Sequence, residues 1–197
     1  MNYLAHAYLS FNHPDILVGN MISDFVKGKK QFDYPVTIQK GIQLHRAIDA
    51  FTDQHSITKE LKKFFTPAVR LYAGAFIDIV YDHFLALHQH VLNEKEWLNF
   101  TTNTYAKLEA QTHFFPEKFA RMFPYMQQQN WLFNYRYKWG IDNSFGGLVR
   151  RAQHLTSHEL PFQLFNEHYN LLAASSDLFI TEVIDFARAE FNRLIMV

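Results

Sequence analysis

The chain has no cysteine in its 197 residues. That absence removes disulfides, zinc–thiolate sites, iron–sulfur clusters and a thiol nucleophile. Any bound metal must be held by oxygen and imidazole nitrogen, a donor set that suits Mn, Mg, Fe or Zn. Glycine and proline are scarce, at seven and six. Strand-like alternation is rare, and long helical periods dominate. No run approaches 18 uninterrupted apolar residues, so no transmembrane helix is expected. The opening Met-Asn-Tyr-Leu-Ala-His has neither a basic start nor a long apolar stretch and does not read as a signal peptide. A cytoplasmic location is the expectation. Formal net charge is zero, so no global field steers the chain to nucleic acid or membrane, and neither is expected as a partner. Glycine-rich phosphate loops and His-Glu-x-x-His are absent. Ser144-Phe-Gly-Gly147 is not a nucleophile elbow, because it lacks the preceding glycine and strand.

What is present is apolar and aromatic. Hydrophobic residues make up 48% and aromatics 17%, with 20 Phe, which supports a well-buried core in one domain covering residues 1–197. The expected fold class is all-α, a single-domain helical bundle. Helices are expected near 2–10, from Pro14 to about Lys27 with Gly28 as the stop, over 35–53, and over 57–65. A long helix is expected over 68–92. Others are expected over 94–110, 116–128, 131–153 with a possible break near Gly140, 160–173 and 176–195. Lys29–Tyr34 reads as a loop.

The 68–92 helix is apolar around its whole circumference: Val69, Leu71, Phe76, Ile77, Ile79, Val80, Phe84, Leu85, Leu87 and Val91. A helix of that kind is buried. Asp78 and Asp82 sit inside the pattern, and a buried carboxylate is costly unless it is paired or holds a metal. On the 35–53 helix, Leu44, Ala47, Ile48 and Phe51 form an apolar face, and a ridge from Ile38 and Ile42 leads into His45, Asp49 and Asp53.

Four pieces then form a candidate site: His6; Asn20 and Asp24; His45, Asp49 and Asp53; Asp78, Asp82 and His83. Spacing of four stacks side chains on one helix face. Facing helices can present such stripes to a hard divalent metal. Each piece also has a plain structural alternative: a hydrogen-bonded core His6, a solvated Asp24, a salt-bridged face at His45–Asp53, arginine partners for Asp78 and Asp82. Lysines and arginines cluster at Lys27, Lys29 and Lys30, at Lys59, Lys62 and Lys63, and at Arg150-Arg151. They are either ordinary solvated surface or a rim for an anionic partner. The aromatic run Trp131–Trp139 is either packing or the wall of a substrate groove with Arg136 near a phosphate.

Taken in order, Tyr3-Leu-Ala-His6, Gly19-Asn20 with Asp24-Phe25-Val26 and Gly28, His45-Arg46 with Ile48-Asp49 and Thr52-Asp53, and Asp82-His83-Phe84-Leu85 with His88 resemble the acyl carrier protein phosphodiesterase family. A weaker match continues through Trp131-Leu132 and Tyr135-Arg136. That family is similar to the helical, metal-dependent HD phosphohydrolases, so the resemblance implies an HD-domain-like bundle. It implies hydrolysis of the phosphodiester joining 4′-phosphopantetheine to a serine of holo-acyl carrier protein, with Mn²⁺ as the metal. No His is directly followed by Asp in this chain, so the HD doublet itself is missing. The metal ligands expected are His6, Asp24, His45, Asp49 and Asp82, with Asp53, Asp78 and His83 as supporting or acid–base groups. Substrate contacts are expected from Lys27, Lys29, Lys30, Arg46, Arg136 and Arg150. Two other functions stay open on residues alone: a phosphohydrolase for a different phosphodiester or nucleotide, and a non-catalytic helical binding module. Oligomeric state is not legible.

Overall fold

In the computed structural model, which describes residues 1–88 and 90–196, eleven α-helices and four short 3₁₀ turns account for the regular structure, and no strand is present among the described residues. The all-α expectation holds. The first half contains α1 (Tyr3–Tyr8), α2 (Pro14–Ile22), α3 (Val36–Gln54), α4 (Ser56–Val69) and α5 (Ala73–Leu87). The second half contains α6 (Glu94–Glu109), α7 (Glu117–Gln128), α8 (Trp131–Asn134), α9 (Lys138–Arg151), α10 (Glu159–Glu167) and α11 (Tyr169–Ile195). One apolar core runs through the fold, from Leu4 of α1 to Leu194 of α11.

α5 is the central rod. Phe76, Ile77, Ile79, Val80, Tyr81, Phe84 and Leu85 are all buried, as an all-round apolar helix requires. Its limits are narrower than the sequence pattern suggests. Arg70 adopts a positive φ of 50°, which ends α4 and turns the chain. Leu71, expected in the buried pattern, is fully exposed on that turn. The stretch 56–87 is long and apolar enough by composition to cross a membrane. Here it is two helices packed on each other and broken at Arg70. α11 straps across α3, α4 and α5. Its buried face, Leu172, Ser176, Phe179, Ile180, Val183 and Ala187, follows helical spacing. Tyr81 stacks on Phe179 with ring centroids 4.1 Å apart.

Other boundaries move for local reasons. α2 stops at Ile22 and continues as the 3₁₀ turn Ser23–Phe25, well before Gly28. The 131–153 pattern splits into α8 and α9 at residues 135–137. Gly140 is needed just after the split, because a Cβ there would lie 2.0 Å from the Asn134 carbonyl oxygen. α11 begins at Tyr169, seven residues ahead of the expected start.

The closest helix crossing joins α2 to α3. A Cβ on Gly19 would lie 2.1 Å from the Ile38 carbonyl oxygen, and a Cβ on Gly41 would lie 2.4 Å from that of Ile16. The two backbones touch, and only glycine permits it. Gly→Ala within a helix ordinarily gains up to about 1 kcal/mol. Here the obstacle is backbone, which no rotamer change relieves. Gly19→Ala and Gly41→Ala should each therefore destabilise the protein by about 2 kcal/mol, as overpacking does. Gly147→Ala, whose Cβ would meet nothing nearer than 3.6 Å, should not. Denaturant midpoints of the three variants check this, and equal midpoints for Gly41→Ala and wild type would exclude the tight crossing.

Candidate active site

The crossing sets the residue after Gly19 against α3. Asn20 is fully buried and serves four bonds at once. Its Oδ1 accepts from His6 Nδ1 at 2.8 Å, and its Nδ2 donates to the His6 carbonyl at 2.9 Å and to Ser10 Oγ at 3.1 Å. Its main-chain oxygen accepts from His45 Nδ1 at 2.8 Å. Both acceptors are oxygens that carry no proton. Both imidazoles therefore hold a proton on Nδ1 and turn Nε2 the other way.

The two Nε2 atoms converge. The rings of His6 and His45 stack with centroids 3.9 Å apart. Asp49, one turn after His45, places Oδ1 3.2 Å from His6 Nε2 and Oδ2 3.1 Å from His45 Nε2. Asp24 Oδ1 lies 3.3 Å from His45 Nε2. Donor atoms of His6, His45 and Asp49 all fall within 4.8 Å of one another. Both Nε2 atoms are buried, and neither makes a well-directed hydrogen bond. Two imidazole lone pairs facing carboxylate oxygens repel, so a cation, proton or metal, belongs between them.

The two histidines respond differently. Burial, and then the neighbouring His45, pull His6 down to about 4. Burial pulls on His45 as well, but the Asp24 and Asp49 carboxylates outweigh it and push its pKa up to about 9. The close His45 imidazolium holds Asp24 below its ordinary range. For Asp49, burial works upward, and the two histidines overcome it and hold the group far below that range.

Other expected site residues divide clearly. Asp78 flanks the cluster: the Met1 nitrogen lies 2.9 Å from its Oδ1 and 3.4 Å from Asp49 Oδ1. Asp82, expected as a ligand, is instead turned to the start of α1. Its carboxylate accepts from the backbone N–H groups of Leu4 at 2.7 Å, Asn2 at 3.1 Å and Ala5 at 3.3 Å. It thereby satisfies orphan donors of the helix that carries His6. His83 is occupied at both nitrogens, by the Tyr135 carbonyl at 2.7 Å and the Tyr169 hydroxyl at 2.9 Å, outside the cluster. Asp53 turns outward to Lys62 at 2.7 Å.

A cavity of about 1030 Å³ opens beside the cluster, and Asp24 is the residue that belongs to both. Among the described lining residues Asp24 is the lone carboxylate, against Lys27, Lys118, Arg150 and Arg151. Lys29 and Lys30 are exposed on the 3₁₀ turn Gly28–Asp33 and do not line it. Arg46 is not at the cavity; it pins that turn, donating to Gln31 Oε1 at 2.7 Å and the Val26 carbonyl at 3.2 Å. Arg136 is committed to Glu94 at 3.1 Å and lies over the Phe133 and Tyr137 rings, away from the cavity. The sequence reading left Lys118 and Tyr3 out of the site, named Arg151 only in a cationic rim, and placed Asn20 in the site without assigning it a role. Tyr3 was legible, since it lies three residues before His6 on one helix face.

The His45 shift fixes a pH dependence. Its folded pKa is raised above the unfolded value, so its contribution to stability is fully present below about 6.5. That contribution is lost as pH rises through about 9. In chelator-treated protein, the gap in melting temperature between wild type and His45→Gln should shrink steadily over that window. A gap that is constant from pH 6 to about pH 9.5 would contradict the assignment.

Comparison with known proteins places the chain in a family. The family model for acyl carrier protein phosphodiesterase matches residues 1–183. The chain is 32% identical over 170 residues to the acyl carrier protein phosphodiesterase of Photorhabdus laumondii, covering 86% of each chain. It is 31% identical over 182 residues to that of Yersinia pestis, covering 92% of this chain and 93% of the relative. It is 31% identical over 176 residues to that of Klebsiella pneumoniae, covering 87% and 90%. No solved structure matches the chain. The motifs that built the cluster, Tyr3–His6, Gly19–Asp24 and His45–Asp49, all fall inside the matched span, and the chain belongs to the acyl carrier protein phosphodiesterase family.

Proposed function

We propose that this protein hydrolyses the phosphodiester between 4′-phosphopantetheine and a serine of holo-acyl carrier protein, using a divalent metal, Mn²⁺ in the first instance. The observation that supports this most directly is the pair of buried Nε2 atoms, neither in a well-directed hydrogen bond, that converge with Asp49 beside a cationic cavity. Orphaned imidazole nitrogens whose other nitrogen is tied to an oxygen have the posture of metal ligands. His6, His45 and Asp49 would hold the ion, with Asp24 completing the set from the cavity side. When bound, the ion supplies Lewis-acid charge to a phosphoryl oxygen.

The chain's own residues do the rest. Asp24 is ionised and faces the cavity, so its free oxygen can accept a hydrogen bond from an attacking water and orient it. Lys27, Arg150 and Arg151 line the same space and offset charge on the phosphoryl oxygens. Asn20 fixes both imidazole tautomers. Asp78 sits next to Asp49 through the Met1 nitrogen and supports the cluster electrostatically. In place of the adjacent His-Asp pair of HD enzymes, His45 and Asp49 meet through one helical turn, which is how we read the HD-like character of the bundle. The exposed Lys29 and Lys30 turn, continuous with Lys27, offers an electropositive approach for the carrier protein in the cytoplasm.

Incubation with holo-acyl carrier protein and Mn²⁺, followed by intact-mass analysis, should show loss of the phosphopantetheine group. Asp49→Asn should reduce turnover to background while the protein still folds. Turnover of small nucleotides with an unchanged holo-carrier mass would defeat the reading in favour of a different phosphohydrolase.

Metal binding is testable without turnover. Because His45 is protonated up to about pH 9 in the metal-free protein, a metal must displace its Nε2 proton. Calorimetric titration with Mn²⁺ near pH 7.5, repeated in buffers of different ionisation enthalpy, should report release of about one proton per ion. Binding with no proton release would place the ion elsewhere.

A further inference from the structure

One face of α9 makes a wall of the cavity. Trp139, Gly140, Asn143, Ser144, Gly147, Arg150 and Arg151 recur at spacings of three and four, and all of them line it. The stripe is about 18 Å long at 1.5 Å per residue. Its chemistry changes along its length. The C-terminal end is cationic, the middle carries small and amide or hydroxyl side chains, and the N-terminal end is aromatic. Arg150 and Arg151 make no ion pair with a carboxylate among the described residues, so their charge is free for a ligand.

The stripe has a direction relative to the metal-ligand cluster. Tyr3, one turn before His6 on α1, also lines the cavity. Burial lifts the Tyr3 phenol above its ordinary value, Arg151 opposes the rise and Asp24 adds to it, so those two charges flank Tyr3. The cationic end of α9 therefore shares Tyr3 and the cavity with Asp24. The aromatic end, at Trp139, is the other end of the helix, and Trp131 of α8 also lines the cavity. Trp139 is half exposed, and its indole is stacked on Tyr137. Gly147 leaves open space in the middle, since its Cβ position is bounded only by the Arg150 guanidinium at 3.6 Å.

We propose that this face of α9 seats the extended arm of the substrate, with its anionic head at Arg150 and Arg151, its amides along Ser144 and Asn143, and its far end against Trp139 and Trp131. The inference rests on the phosphodiesterase reading for the identity of the arm, a phosphorylated chain with two amide groups. It adds that the enzyme reads the arm itself and not the carrier protein alone. A two-amide chain needs partners for its N–H and C=O groups once it leaves water. Asn143 and Ser144 supply them one helical position apart. Ser144 Oγ already donates to the Gly140 carbonyl at 2.8 Å, so it presents its lone pairs to the cavity.

The test uses the full chain with Mn²⁺ present and reads tryptophan fluorescence and calorimetry with two probes, pantetheine and 4′-phosphopantetheine. Both should bind, the phosphorylated one more tightly. Trp139→Ala and Asn143→Leu, both at exposed positions, should each weaken pantetheine binding about tenfold, the size of one lost hydrogen bond or stacking contact. Each should raise KM for holo-carrier protein by a similar factor with kcat retained, and thermal melts should show the fold intact. Arg151→Ala should remove most of the preference for the phosphorylated probe. Hydrolysis of holo-carrier protein with a KM indifferent to both substitutions would overturn the arm site and leave the phosphodiesterase reading standing. Binding of both probes along α9 without hydrolysis would sustain the arm site and defeat that reading.

Discussion

The contact of two helix backbones at Gly19 and Gly41 is the constraint on which the site depends. With side chains at those positions, α2 and α3 would stand apart by the width of a methyl group or more. At contact distance, the Asn20 main-chain oxygen reaches His45 and its side chain reaches His6. A single buried amide then orients two imidazoles from two other helices. Its polar atoms are satisfied within the protein, which is what makes a buried polar network rigid and not merely tolerated.

That rigidity creates an electrostatic problem whose solution is the proposed chemistry. Two buried Nε2 atoms meet Asp49, which is part-exposed, and Asp24 borders the group on the cavity side. In the metal-free protein a proton on His45 balances the carboxylates, while His6 stays neutral because burial and a stacked, charged neighbour both disfavour a second proton. In the proposed reading, a metal would take the place of that proton. The same negative cluster borders a cavity with four cations, so field lines run from the cavity mouth toward the ligands and favour an anionic phosphoryl group between them.

The polar residues that the fold consumes are equally instructive. Asp82 is as buried as any residue in the chain and close to the site in sequence logic. It spends its oxygens on the amides of α1. It thereby positions His6 from beneath. His83 ties α5 to the residues before α9 and to α11 through Tyr135 and Tyr169. Arg136 is drawn to Glu94. Each of these removes a candidate from the chemistry and supplies a brace to the elements that carry it.

Helix content, the buried rod at α5, the i, i+4 pairing of His45 with Asp49, and the absence of thiol chemistry were determined by the sequence alone. They follow from periodicity and composition, which are local properties. The union of His6 with Asp49 was also foreshadowed, because unpaired carboxylates and imidazoles on apolar faces must find partners. What only the tertiary structure decided is the direction in which each polar group points. Asp78 and Asp82 share one helix at the same spacing as His45 and Asp49, yet one faces the cluster and the other caps α1. Spacing places side chains on a face but cannot say which neighbour packs there. The cationic stripe of α9 was hidden for the same reason. Trp139 and Arg151 were each legible as a possible groove wall or cationic rim, but that they and Asn143 and Ser144 share one cavity with Tyr3 and Asp24, more than a hundred residues away in the chain, only the fold decides.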